Sequence, residues 1–218
     1  MTRIITIASL FILAILFHFH IEYLAQTIGM SFSVAKMMPY IMQASFLIIL
    51  LVESYRLLSD RLSHSMRRLI GLGVLIIGGS IAFAIHPIYE GDFKHEYRPI
   101  LFRGNSAENI HDGLTMIALP GCPYCYEKIT LLNRIIELHP TKPIHIQVVN
   151  QDSLALEEYR ERTDERIDVS LAQNEATLKS LTGERYPSFI YINPNTKDGM
   201  IWNNNGFGVA AIDFILEE

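Results

Sequence analysis

The sequence predicts two parts: an all-α region of three transmembrane helices, then an α/β domain with a mixed central sheet flanked by helices. Three observations predict this. Charge and hydropathy divide near residue 86, with apolar runs before it and most of the charge after it. A β-type apolar stretch, a Cys-x-x-Cys and a helical pattern follow one another over 114–138. A second β-branched run, Ile144-His-Ile-Gln-Val-Val149, comes directly after that helix. Strand–helix–strand at these lengths is a βαβ unit, which implies parallel pairing of its strands.

Half of the 218 residues are hydrophobic, and the excess is concentrated at the N-terminus. Through His86 the chain has six basic residues (Arg3, Lys36, Arg56, Arg61, Arg67, Arg68) and three acids (Glu22, Glu53, Asp60). Of the 18 basic and 23 acidic residues in total, twelve and twenty remain, so the first part is net +3 and the rest net −8. An acidic domain with no basic stripe is a poor nucleic-acid binder, and nucleic acid is excluded as a partner.

Three apolar runs, at about 4–23, 37–56 and 69–85, are read as spans, since roughly 17–25 helical residues cross a bilayer core. Residues 1–86 are thus a membrane anchor with the lipid bilayer as its partner. Pro39 is placed near the start of the second span, where proline costs a helix little. A cleaved signal peptide fits the first run poorly, because Tyr23-Leu24-Ala25 is not a small-x-small site and two further runs follow. His18, His20 and Glu22 are read as polar residues at the membrane–water boundary. Gly78/Ala82 and Ser80/Ala84 are small-xxx-small pairs suited to close helix packing.

Arg56, Arg61, Arg67 and Arg68 lie in the second connection, whereas the first has only Lys36. Basic loops stay in the cytoplasm, so the N-terminus is expected inside and everything after the third span outside. In a bacterium this is an inner-membrane protein with a periplasmic domain, in an oxidising compartment.

Residues 87–113 read as a linker with first edge elements, including a strand-like stretch at 100–102 and a helical turn capped by Ser106. Residues 114–119 read as a buried strand. The helix after Cys122-Pro123-Tyr124-Cys125 is expected over 123–138, with Ile129, Leu132, Ile135 and Ile136 on its apolar face and His139-Pro140 ending it. Residues 153–181 are charged and helical in pattern, with Gly183 as the stop. Tyr186-Pro-Ser-Phe-Ile-Tyr-Ile192 is a strand opened by proline. A loop over 193–199, a return strand at 200–202 and a closing helix at 209–216 complete the chain.

Cys122 and Cys125 are the only cysteines. A strand that turns into a helix through Cys-x-x-Cys places the first sulfur at the helix N-terminus. There the free N–H groups and the helix dipole stabilise a thiolate. Zinc normally needs four ligands, and His111, His139 and His145 lack the usual close pairing, so no metal is expected. A disulfide closing a two-residue loop constrains little of the unfolded chain, which argues against a purely structural bond.

The order strand, Cys-Pro-Tyr-Cys helix, strand, helices, proline-opened strand, hairpin and C-terminal helix resembles the thioredoxin fold over 114–218, with a helical insertion. Cys-Pro-Tyr-Cys itself is similar to the glutaredoxin variant. The resemblance implies a thiol–disulfide oxidoreductase in which Cys122 is the exposed nucleophile and Cys125 the buried resolving thiol. It further implies that Pro187 is cis, that Tyr186 lies against the cysteine pair, and that Pro123, Tyr124, Tyr186 and Pro187 contact a bound substrate chain. Thioredoxins have a Trp directly before the motif and a buried Asp six residues upstream of its first Cys; here those places hold Gly121 and Met116. The Gly-Gly turn and Asp by which glutaredoxins hold glutathione are echoed only faintly by Asn205-Gly206-Phe207-Gly208 and Asp213. Glutathione therefore gains little support, and the redox-active disulfide is expected to serve without a cofactor. Expected partners are protein thiols and disulfides of the envelope, together with a separate redox protein in the membrane, because no span contains a thiol. Substrate and net direction stay open. The rival reading is a non-catalytic subunit of a larger membrane assembly that binds a partner chain.

Overall fold

The structure is a computed structural model and describes residues 2–57, 63–94, 96–100, 110–150 and 152–217. It divides into two compact units, Met1–Ile88 and Tyr89–Glu218.

The first unit contains α1 (Thr2–Leu16), α2 (His18–Thr27), α3 (Phe32–Leu57) and α4 (His64–Ile85). Among the described residues two helices, α3 and α4, are long and apolar enough to cross a membrane. The expected first span is not one straight helix: it breaks between Leu16 and His18, and the two pieces meet at 67°. The pair counts as a third crossing only if both arms are taken together. The break comes where apolar residues give way to His18, His20 and Glu22. His18 is buried rather than placed at a wet boundary. Its ring stacks on His86 at 3.6 Å, and its Nδ1 lies 3.4 Å from Gln43 Nε2, which donates to the Ala14 carbonyl at 3.3 Å. The Tyr40 hydroxyl donates to the His86 carbonyl.

Pro39 lies inside α3, not near its start. The helix begins at Phe32, ahead of the apolar run, where the Ser31 hydroxyl accepts the Val34 N–H at 3.4 Å. Pro39 therefore removes one rung of an established helical ladder. Of the two small-residue pairs, Gly78 and Ala82 are buried, while Ser80 and Ala84 face outward. A Cβ on Gly78 would stand 2.7 Å from Leu47 Cδ2, so glycine sets how closely α4 approaches α3. The outward faces are apolar as well, with Leu16, Leu24, Leu69 and Ile77 all more than 60% exposed.

The second unit holds a short 3-10 turn (Glu90–Asp92), β1 (Arg98–Ile100), β2 (Gly113–Ala118), α5 (Pro123–Leu138), β3 (Ile144–Val148) and α6 (Ser153–Arg162). It continues with β4 (Asp168–Leu171), α7 (Glu175–Thr182), β5 (Ser188–Ile192), β6 (Gly199–Asn203) and α8 (Val209–Glu217). The sheet order is β1-β6-β5-β2-β3-β4. Strands β2, β3 and β4 are parallel, and β5 runs antiparallel to β2, β6 to β5 and β1 to β6. The centre is the βαβ unit β2-α5-β3 extended by the β5–β6 hairpin, which is the mixed sheet that the thioredoxin resemblance implies.

Every residue of β2 and β5 is buried, as central strands covered on both faces must be. The helical pattern of α5 buries Ile129, Leu132, Ile135 and Ile136. Gly183 stops α7 with φ +62. The insertion departs from expectation, because 153–181 is not wholly helical but includes β4. That strand is four residues long, begins with an acid and buries only Val169, so period-2 alternation has no room to show. The first edge strand is already under way at Arg98, two residues before the expected start, and 101, 102 and Ser106 lie outside the described residues.

The turn between α6 and β4 is fastened to α5 by Asn133. Its Nδ2 donates to the Arg162 carbonyl at 3.0 Å, and its Oδ1 accepts the Asp164 N–H at 2.9 Å. Asp164 in turn accepts both the guanidinium (2.7 Å) and the backbone N–H (3.0 Å) of Arg166, whose side-chain hydrogen bond is the main cause holding its carboxyl down to about 2. A folded-state value below the unfolded one means that this pair stabilises the fold above the ordinary aspartate range. That contribution fades as pH falls toward about 2. Carboxyl-carbon NMR should find Asp164 titrating near 2, below the ordinary value of an aspartate.

Candidate functional site

The strand β2 ends at Ala118, and four residues later Cys122 caps α5. Gly121 makes the turn with φ +67, a left-handed backbone that a large L side chain adopts only under strain. This accounts for a glycine at the place where thioredoxins have Trp. Pro123 fills the first helical position, where its missing N–H leaves nothing unpaired.

Cys122 and Cys125 are joined as a disulfide with their Cα atoms 5.3 Å apart. Cys122 Sγ accepts the backbone N–H of Cys125 at 3.2 Å. A hydrogen bond to sulfur from the helix N-terminus favours negative charge there, which is what a leaving or attacking thiolate carries. Cys125 is fully buried and Cys122 is 9% exposed. In the disulfide form Cys122 is more covered than an open nucleophile would be. Tyr124 is 59% exposed beside it.

The opposite wall comes from the start of β5. Its Ser188 pairs with Ile117 of β2, so the Pro187 turn and the Cys122 turn leave the same end of the sheet. The Tyr186–Pro187 peptide bond is cis. The Ser188 hydroxyl donates to the Arg185 carbonyl at 2.7 Å, bracing the turn across Tyr186 and Pro187. Tyr186 packs on the apolar cluster that includes Ile117, Leu178 and Ile190.

Tyr159 of α6 was not legible as a site residue. It is completely buried, and its hydroxyl donates to the Leu119 carbonyl at 3.0 Å. The same carbonyl accepts the Cys122 N–H at 3.2 Å, so one oxygen ties the cysteine turn to the inserted helix. Burial is the main cause that raises the Tyr159 phenol above its ordinary value, and it remains a neutral donor at physiological pH. The rings of Tyr126 and Tyr159 lie 4.9 Å apart, and Tyr126 donates to Glu158 at 2.7 Å beneath the Arg162 guanidinium. A usable signal existed in the sequence: Tyr159 is the one aromatic in the charged helix Ser153–Arg162. Tyr159→Phe should destabilise the second unit by about 1 kcal/mol, the net worth of a neutral hydrogen bond, as read from denaturant unfolding.

The second unit thus combines a mixed six-stranded sheet with a cysteine pair at the N-terminus of the helix that follows β2. Two solved structures are similar to it. One is a secreted Mycobacterium tuberculosis disulfide oxidoreductase homologous to E. coli DsbE, at 12% identity over 48% of this chain and 78% of that one, with a TM-score of 0.39. The other is MTB DsbF in its mixed oxidized and reduced forms, at 14% identity over 53% of this chain and 85% of that one, with a TM-score of 0.40. No protein-family model matches the chain, and no curated protein matches it.

Proposed function

We propose that this chain is a membrane-tethered thiol–disulfide oxidoreductase acting on cysteines of envelope or exported proteins through Cys122 and Cys125. The observation that carries the reading is the seat of Cys122. Its sulfur caps a helix, receives an N–H at 3.2 Å, and has a partner thiol one turn along on the buried side.

In the reducing direction the Cys122 thiolate attacks one sulfur of a substrate disulfide. That bond breaks, a mixed disulfide to Cys122 forms, and the departing thiolate takes a proton from water. The Cys125 thiolate then attacks Cys122 Sγ and releases the second substrate thiol, leaving the substrate reduced by two electrons and the pair oxidised. Run backwards, the same steps oxidise a dithiol. Pro123, Tyr124, Tyr186 and Pro187 would line the path of the substrate chain. With no thiol in α1 to α4, the pair must be reset by another protein.

The anchor is the first unit, with the N-terminus and the basic segment of Arg56, Arg61, Arg67 and Arg68 in the cytoplasm and the cysteine domain in the periplasm of a bacterial inner membrane. Full-length protein in detergent should exchange electrons with a model peptide disulfide. An inert pair would return the chain to the rival reading, a partner-binding subunit. A maleimide that does not cross membranes should label reduced Cys122 without disruption of the inner membrane. Labelling only after that membrane is broken would reverse the orientation.

A further inference from the structure

Far from the cysteines, at the other end of β2, three side chains that are remote in sequence converge. His111 precedes β2, His145 is the second residue of β3, and Asp168 opens β4. The register sets His145 directly opposite Asp168 across the parallel pair, and His145 Nδ1 lies 3.4 Å from Asp168 Oδ2. The ring of His111 stacks on that of His145 at 4.5 Å and 23°. One ligating atom from each of the three lies within 4.8 Å of the others. His111 and Asp168 are exposed and His145 is half-buried, so the cluster is open to solvent on one side.

We propose that His111, His145 and Asp168 form a binding site for a divalent transition metal of the zinc class. Two imidazole nitrogens and one carboxylate oxygen are a donor set of intermediate softness that suits Zn²⁺ over Ca²⁺ or Mg²⁺. Zinc–ligand bonds of about 2.0–2.2 Å put tetrahedral donors about 3.4 Å apart, so the exposed His111 ring must turn out of its stack on His145 for both imidazoles to face one ion. The Asp112 carboxylate is held by Lys197 at 2.6 Å and stays out of the donor set. The fourth position is left to water or to an outside ligand. Bound metal would clamp the segment entering β2 to β3 and to the edge strand β4. Six residues of β2, about 20 Å of strand, separate this site from the cysteine turn, so it is independent of the redox reading.

The test uses untagged full-length protein in detergent with Cys122 and Cys125 oxidised, so that no thiolate competes, and Zn²⁺ titrated against a chromogenic chelator. One equivalent should bind per chain. His111→Gln, His145→Gln and Asp168→Asn should each weaken binding by at least about tenfold, the low end of what even outer-shell changes cause. His139→Ala and the Cys122→Ser/Cys125→Ser double variant should bind as the parent does. Circular dichroism checks folding, and because His111 and Asp168 are exposed their variants remain informative even if His145→Gln unfolds. A second readout is Cu²⁺ in the same site, whose electron paramagnetic resonance should show two imidazole nitrogens in the parent and one in His111→Gln. Absence of stoichiometric Zn²⁺ binding overturns the proposal, as does binding that survives all three substitutions or disappears with the cysteines or His139.

Discussion

Cys125→Ser should convert a transient intermediate into a product that can be isolated. With the resolving thiol gone, the mixed disulfide formed by Cys122 has no internal route to release. Envelope proteins should then accumulate on Cys122 as higher-mass species that vanish on reduction. Cys122→Ser should give none of these, and exchange with a model disulfide should fall to the uncatalysed background. The contrast follows from burial: Cys125 is wholly enclosed and cannot readily take the place of Cys122 toward a large substrate, whereas Cys122 keeps a 9% opening beside the exposed Tyr124. Adducts through Cys125 in the Cys122→Ser protein, at levels like those through Cys122, would remove the assignment of roles. The steady-state redox state of the parent pair in cells then sets the direction. A mostly oxidised pair marks an oxidase, and a mostly reduced one a reductase or isomerase.

The largest loss of stability should come from Gly208→Val. Gly208 is buried just ahead of α8, where a Cβ would stand 2.3 Å from the backbone carbon and oxygen of Gly91 and 2.7 Å from the Asp92 nitrogen. All three obstacles are main chain, so no side-chain rotation relieves them. The turn at Glu90–Asp92 must separate from α8, and the Gly91 N–H bond to the Asn205 carbonyl (3.2 Å) goes with it. Overpacking of this kind costs about 3 kcal/mol or more, which for a domain of this size lowers the unfolding midpoint by roughly 10 °C. Activity should suffer too. The Phe207 carbonyl accepts Lys128 of the motif helix at 2.9 Å, and the Phe207 ring stacks on Phe189 of β5 at 3.7 Å. A thermal scan of the variant that overlays the parent would show that the two glycines are not in tight contact.

The motif helix and its flanking strands were legible because each leaves a dense local record. Pro123 at the first turn, four apolar residues at helical spacing and the β-branched run at 144–149 all agree with the fold they adopt. What escaped depends on distance along the chain. The strand Asp168–Leu171 is held by pairing to β3 more than by its own composition. The bend at His18 answers to Gln43 of α3 and to His86, the residue that follows α4. Tyr159 gains its place only because the inserted helix lies beside the cysteine turn. His111, His145 and Asp168 meet solely through sheet register, which no spacing rule within the sequence encodes.

The two outermost strands bear on how this domain escapes self-association. The described part of β1 is Arg98–Ile100 with Pro99 at its centre, a residue that has no N–H to offer. At the opposite rim the Arg160 guanidinium covers the Val169 carbonyl of β4 through two nitrogens, at 3.3 and 3.4 Å. Among the described residues neither rim shows the long, flat row of free backbone groups on which another chain could nucleate a fibril. Rims blunted in this way make a domain a poor template for the aggregation of other chains.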